Sequence, residues 1–312
     1  MLDLKNKKII INAPAKINLH LEIIGKREDG FHELAMVMQS INLSDQLEIE
    51  INNEGKLNLK TDSANLDDGD ENLIIKAARL IKDYSGKKEL GANIFLRKNI
   101  PIGAGLAGGS SDAAGTLIGL NELWNLNLDS KILHQLASKL GSDVPFCIKG
   151  GSQYCFGRGE ILKKYNFTKP YGLLLIKNSN ISISTAYVYQ KYYEKYSRFI
   201  DLSDINIEQK RDTLKNLGFM NKDIFQKKIK IRNDLQKIVQ YEFKSVNDGL
   251  NILSNLDNSL CSSMSGSGPS CYAIFEDLNM ANKIYKKNIE IFKKFDFDVW
   301  VCQFHSKGIE II

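Results

Sequence analysis

The chain has 312 residues, 43% hydrophobic and 25% charged, with a formal net charge of +5. That length supports a large core and two domains, and so mild a charge forms no dense basic stripe of the kind nucleic acid selects. No apolar run reaches membrane-spanning length, and the five cysteines lack a C-x-x-C spacing; a reduced, cytoplasmic protein without a signal-peptide core is expected.

Residues 8–12 and 17–24 read as two strands, and 25–30 as a turn. Residues 31–41 fit no single pattern; 45–51 alternate as a strand, and 57–60 form a shorter one. Helical spacing over 72–84 predicts a helix, followed by a strand at 91–96. After a glycine-rich loop, a helix runs to about Trp124. Asp129 caps another, with a stripe of Leu133, Leu136, Ala137 and Leu140 closed by Gly141. Strands are expected at 145–148 and 153–156. The polar stretch 163–170 ends in proline and marks a boundary, giving domains at 1–165 and 166–312. Beyond it come a strand at 171–176, helices at 184–196, 207–217 and 235–253, a strand near 272–275, a helix at 280–295 and a last strand at 299–304. Mixed strands and helices in both halves predict an α+β fold. The lysine clusters at 227–232 and 283–287 carry apolar residues at helical spacing and read as solvated helix faces.

The densest chemistry lies in Gly103-Ala104-Gly105-Leu106-Ala107-Gly108-Gly109-Ser110-Ser111-Asp112. Small residues let a backbone approach a ligand, and glycine permits the positive φ that turns successive N–H groups inward. A helix starting there adds free N–H groups and the positive end of its dipole, a device that holds phosphate. A P-loop is excluded, because Gly109 rather than lysine precedes Ser110. The G-x-G-x-x-G match is weak, since residues 99–102 interrupt the preceding strand. Ser110, Ser111 and Asp112 are either simple caps or partners for phosphate and magnesium. Three further features stand apart in sequence. Lys16 falls in an apolar strand, where a lysine either escapes to solvent at an edge or works. Asp143 sits in a turn, where aspartate often serves only as an Asx turn. Residues 263–270 form a second glycine-serine loop. Together, a lysine, an aspartate and two anion loops suit phosphoryl transfer, which depends on positioning and charge neutralisation.

These segments, in this order, resemble the GHMP small-molecule kinases. The resemblance rests on residues 14–19, 26–34, 101–114, 141–146 and 265–269, with support from 72–73, 157–160 and 233–235, and it covers nearly the whole chain. It implies a two-domain kinase with a ribosomal-S5-like N-terminal half and a ferredoxin-like C-terminal half. The Asp-Gly-Phe-His run at 29–32 points to a branch that phosphorylates the 2-hydroxyl of a cytidine-diphosphate-linked polyol, with ATP and Mg2+. Asp143 would take the hydroxyl proton and Lys16 would stand beside it. Pro101 and the run from Gly103 through Ala104, Gly105, Leu106, Ala107, Gly108, Gly109 and Ser110 to Ser111 would wrap the phosphates, with Ser111 as the candidate magnesium contact. Asn72 and Leu73 match adenine-side positions. Asn18, Phe31, His32 and Tyr189 match the acceptor side, as do Ser265, Gly266, Ser267 and Gly268. Position 31 is commonly tyrosine in the family; Phe31 keeps the stacking face without the hydroxyl. A small-molecule substrate, no nucleic acid, no membrane and a monomer or weak homodimer are expected. Rival readings are a kinase for homoserine, mevalonate or a sugar, and a non-catalytic S5-like RNA-binding protein.

Overall fold

The computed structural model describes residues 7–64, 66–165, 169–196, 206–216 and 231–312. The lysine cluster at 227–230 and the last residue of the helix expected at 207–217 lie outside them. The chain opens with two long antiparallel strands, β1 (Lys8–Lys26) and β2 (His32–Asn52), followed by β3 (Leu57–Thr61), α1 (Leu73–Ser85), β4 (Gly91–Arg97) and α2 (Gly108–Leu123). Next come α3 (Ser130–Leu140), α4 (Val144–Lys149), β5 (Ser152–Gly157) and β6 (Ile161–Tyr165). The second half contains β7 (Gly172–Asn178), α5 (Thr185–Tyr196), α6 (Ile207–Asn216), α7 (Gln236–Glu242), α8 (Lys244–Ser254), β8 (Cys261–Met264), β9 (Cys271–Phe275), α9 (Leu278–Lys294), β10 (Phe297–Gln303) and β11 (Glu310–Ile311).

Among the described residues the strands form two sheets. The larger runs β11-β1-β2-β4-β3, with β5 pairing β2 and β6 pairing β5; the smaller runs β10-β7-β9-β8. Among the named strands of the described residues, β3–β4 is the parallel pair, and an isolated bridge between Leu21 and Asn233 is also parallel. The switch between sheets falls between Tyr165 and Gly172, but the chain returns at its end, where Ile311 pairs with Ile11. One core packs the helices on the sheets. A second fills the space between the sheets, joining Ala15, Ile17 and Leu19 of β1 to Leu173, Leu175, Tyr272 and Ile274 of the smaller sheet.

Several expectations change. The two strands read at 8–12 and 17–24 are one strand of 19 residues, because the register shifts between Pro14 and Lys16 and so accommodates the proline. The strand expected at 145–148 is the helix α4: Pro145 lies in its first turn, where a missing N–H costs nothing, and burial of Val144, Phe146 and Cys147 overrides their β preference. The helix expected at 235–253 is two, broken at Phe243 in extended conformation (φ −116°, ψ 99°). The short strands β6, β8 and β11 carried too little pattern to be read.

Candidate active site

Period-two geometry decides what β1 shows to each side. Ile17 and Leu19 point into the core between the sheets, so Lys16 and Asn18 point the other way, into a cleft of about 1100 Å3. The cleft is lined by the glycine loop, the start of α1, the β1–β2 turn, the Ser142-Asp143 turn, α5 and the second glycine-serine loop.

The glycine loop enters α2 through three left-handed residues, Gly103 (φ +61°), Gly105 (φ +74°) and Ala107 (φ +57°). Ala107 occupies the cap position and offers no side-chain acceptor. The first-turn N–H groups of α2 have no partner within the helix, so this end is built to be capped by an anion. Pro101 and every residue from Gly103 to Ser110 line the cleft. Ser111 does not. Its hydroxyl donates to the Pro14 carbonyl at 2.8 Å in a fully buried position, so it ties α2 to β1 and is not a magnesium contact.

Beneath the loop lies a buried charge cluster. The Lys98 ammonium sits between Asp45 and Asp112, bonding Asp112 Oδ2 at 2.8 Å. Asp45 Oδ1 also accepts the N–H groups of Asn99 (2.6 Å) and Ile100 (2.8 Å), which fixes the approach to the loop. Burial pushes the Asp112 carboxyl up to about 8; the Lys98 charge opposes this and the Asp45 charge adds to it. Asp112 Oδ1 has no hydrogen-bond partner among the described residues, although the residue is only 2% exposed and lines the cleft.

At the junction of the loop with the rest of the cleft, Lys16 Nζ lies 3.4 Å from Asp143 Oδ2. It also donates to Asn18 Oδ1 (2.7 Å) and to the Gly105 carbonyl (3.3 Å). Asp143 stands just before α4, and its side chain makes no capping bond. The Asx-turn use of this aspartate is therefore not what the fold adopts; its carboxylate is left facing Lys16 and the cleft. The lysine does not escape to solvent either, with its side chain 5% exposed.

The far end of the cleft is aromatic. The rings of His32 and Tyr189 are 5.1 Å apart, and Phe31, half exposed, lies under the Arg158 guanidinium at 4.6 Å. Burial, helped by the Lys26 charge, holds His32 below the usual imidazole range, so the ring is neutral near pH 7. A neutral imidazole offers one donor and one acceptor. At the opposite side Asn72 caps α1 by accepting the Ile74 N–H at 2.9 Å, and Asn72 and Leu73 both line the cleft.

The second loop divides. Gly266 and Ser267 reach the cleft, while Ser265 and Gly268 do not. Ser265 is fully buried and donates to the Gly105 carbonyl at 3.0 Å, and a side chain at Gly268 would collide with Met264. Both serve as bracing, not as substrate contacts. Sequence reading missed Lys98 and gave no role to Arg158, Lys26 or Asn233, while Asp112 entered only as a cap or a partner for phosphate and magnesium. Lysine directly before the Asn-Ile-Pro run was the only local signal for Lys98.

Residues 72–151 match the model of the GHMP kinases N terminal domain, and residues 219–294 that of the GHMP kinases C terminal domain. The chain is 55% identical over 313 residues, and over the full length of both proteins, to 4-diphosphocytidyl-2-C-methyl-D-erythritol kinase of Prochlorococcus marinus (strain MIT 9515). It is 53% identical over 312 residues to the protein of that name from Prochlorococcus marinus subsp. pastoris, again over 100% of both chains. A crystal structure of 4-(cytidine 5'-diphospho)-2C-methyl-D-erythritol kinase superposes with a TM-score of 0.68 at 28% identity, covering 95% of this chain and 98% of that one. Homoserine kinase from Cytophaga hutchinsonii superposes with a TM-score of 0.70 at 19% identity, covering 98% of this chain and 97% of that one, and shares the fold.

Proposed function

The chain belongs to the GHMP kinases, and from that premise we propose that it uses ATP to phosphorylate the 2-hydroxyl of 4-diphosphocytidyl-2-C-methyl-D-erythritol, a step of non-mevalonate isoprenoid precursor synthesis. The observation that carries the reading is the 3.4 Å approach of Lys16 to Asp143 where the glycine loop meets the aromatic end of the cleft. In this reading the nucleotide's phosphates cap α2, and the acceptor's cytosine lies against Phe31, Tyr189 and the neutral His32. Asn72 and Leu73 border the adenine. Asn18 and Ser267 face the acceptor chain.

The acceptor oxygen attacks the γ-phosphorus, ADP leaves, and the hydroxyl proton passes to Asp143 as the new P–O bond forms. An alcohol is far too weak an acid to be ionised beforehand, so proton transfer accompanies bond formation. Lys16 holds the carboxylate in place and offsets charge on the transferring group. Mg2+ suits this site: the unpartnered Asp112 Oδ1 and the Ser110 hydroxyl are the oxygen donors beside the phosphate position. Held there, the ion would supply positive charge to offset the charge that develops on the transferring group. A soluble, cytoplasmic enzyme agrees with this role, and no helix among the described residues is long and apolar enough to cross a membrane.

The test is ATP consumption with the cytidine-linked alcohol, run beside homoserine and mevalonate. Turnover with the first alone, inhibited by CDP, is expected. Turnover with either of the others in its place would reassign the substrate.

A further inference from the structure

Residues 232–234 lie against β1, where Asn233 makes an isolated parallel bridge to Leu21. Leu21 donates to the Arg232 carbonyl at 2.8 Å, Asp234 donates back to the Leu21 carbonyl at 3.0 Å, and Ile23 N–H reaches Asp234 Oδ2 at 2.9 Å. Asn233, between them, turns its amide the other way. Its Nδ2 donates to the carbonyls of Met264 (2.8 Å) and Gly266 (2.9 Å), and its Oδ1 accepts the Leu235 N–H (3.0 Å). The side chain is buried and uses both of its donors on the second loop.

That loop is a junction. Ser265 Oγ donates to the Gly105 carbonyl, which also receives Lys16 Nζ. The hydroxyls of Ser267 and Thr185 are 2.8 Å apart, joining the loop to the start of the helix that bears Tyr189. Gly266 leaves no slack: a Cβ there would lie 3.0 Å from the Gly105 carbonyl and 3.4 Å from Asn18 Oδ1. A shift of Gly266 therefore moves Gly105, and with it the oxygen against which Lys16 is set.

We propose that Asn233 is a positioning residue for phosphoryl transfer: by clamping the Met264 and Gly266 carbonyls to β1, it fixes the distance between the phosphate loop and the Lys16–Asp143 pair. This rests on the kinase reading above. Asn233 touches neither substrate. Its effect passes through two peptide groups to the one loop carbonyl shared by Lys16 and Ser265.

Asn233→Asp keeps the size and the oxygen facing Leu235 but removes both donors. Misplacement of about 1 Å costs on the order of 10²-fold in rate, so kcat is expected to fall by about 10- to 100-fold. KM for the cytidine-linked alcohol should change much less than kcat, because Asn233 bonds the loop at Met264 and Gly266 and touches neither Phe31 nor His32. Ser265→Ala removes the next link and is expected to lower kcat by a smaller factor. Combined with Asn233→Asp it should add almost nothing, since both act through one chain of contacts. Full multiplication of the two losses, or an unchanged kcat in folded Asn233→Asp, overturns the proposal. Amide exchange of the ligand-free protein separates this from failure of the kinase reading. With or without activity on any alcohol, residues 103–107 should exchange faster in Asn233→Asp than in wild type and as fast in Ser265→Ala/Asn233→Asp as in Asn233→Asp. Unchanged exchange in a folded variant overturns the positioning role by itself. If Asn233→Asp does not fold, the same two readouts on Asn233→Ser, which retains one donor, decide: intermediate losses in both support the clamp, and wild-type values overturn it.

Discussion

The two glycine-serine loops are nearly alike in composition, yet they do opposite things. In the first, Gly103 and Gly105 adopt positive φ so that peptide groups and the bare end of α2 face the cleft. In the second, Gly266 and Gly268 adopt the same conformation, but Ser265 turns inward onto the Gly105 carbonyl and Asn233 holds two of the carbonyls. One loop opens its backbone to the cleft, and the other, apart from Gly266 and Ser267, braces it. What separates them is where the polar groups already have partners: unsatisfied donors remain for a ligand, and satisfied ones transmit position.

If the first loop receives the phosphates, the largest loss comes from the carboxylate facing it. Asp143→Asn should lower kcat by about 10²–10⁴-fold with ATP affinity nearly kept; equal single-turnover rates would remove Asp143 from the reaction. Lys16→Met should cost about 10²–10³-fold in kcat, as loss of a donor aimed at developing charge does, read in the same experiment.

The contact between the loops is sharpened by two alanines. At Gly105 a Cβ would lie 2.2 Å from the Ser265 carbonyl oxygen, with φ at +74°; at Gly109 its nearest neighbour would be Leu73 at 3.7 Å. Gly105→Ala should lose about 1–3 kcal/mol of stability from strained backbone alone and most of its nucleotide binding. Gly109→Ala should stay within about 0.5 kcal/mol. Melting curves and ADP titrations check both, and equal behaviour would erase the distinction drawn here.

The charge beneath the first loop has a pH signature. Burial raises the Asp112 carboxyl from the ordinary 3.8 of an unfolded chain to about 8 in the folded one. Between these values the native state holds the extra proton, so this group's contribution to stability falls as pH rises and is fully lost above the folded value. Asp112→Asn should flatten the decline of Tm between about pH 4 and about pH 8; an unchanged slope would show that Asp112 is not the titrating group. The smallest effect is Ser111→Ala, expected to lose about 1 kcal/mol for its buried hydrogen bond while the magnesium dependence of turnover is unchanged.

Local rules were enough wherever a residue acts through its own backbone. The glycine loop was legible because positive φ and a helix start are properties of a few consecutive residues, and the cap Asp129 was legible for the same reason. The direction of a hydroxyl was not. Ser110 and Ser111 are identical in sequence terms, and only the 100° turn between neighbours on a helix sends one to the cleft and the other to Pro14. The strand expected at 145–148 failed because β-branched and aromatic residues suit any buried surface, and the surface available there was helical.

The amino-acid order alone determined the α+β class, the glycine loop at a helix start and the candidacy of Lys16 and Asp143, because each depends on short-range conformation or on the cost of an ion among apolar neighbours. Their meeting at 3.4 Å, the buried Lys98 cluster and the clamp at Asn233 came only with the folded chain. Lys16 and Asp143 stand 127 positions apart, Lys98 stands 53 from Asp45 and 14 from Asp112, and Asn233 stands 31 and 33 from its two carbonyls; no local pattern encodes which strand will lie beside which loop.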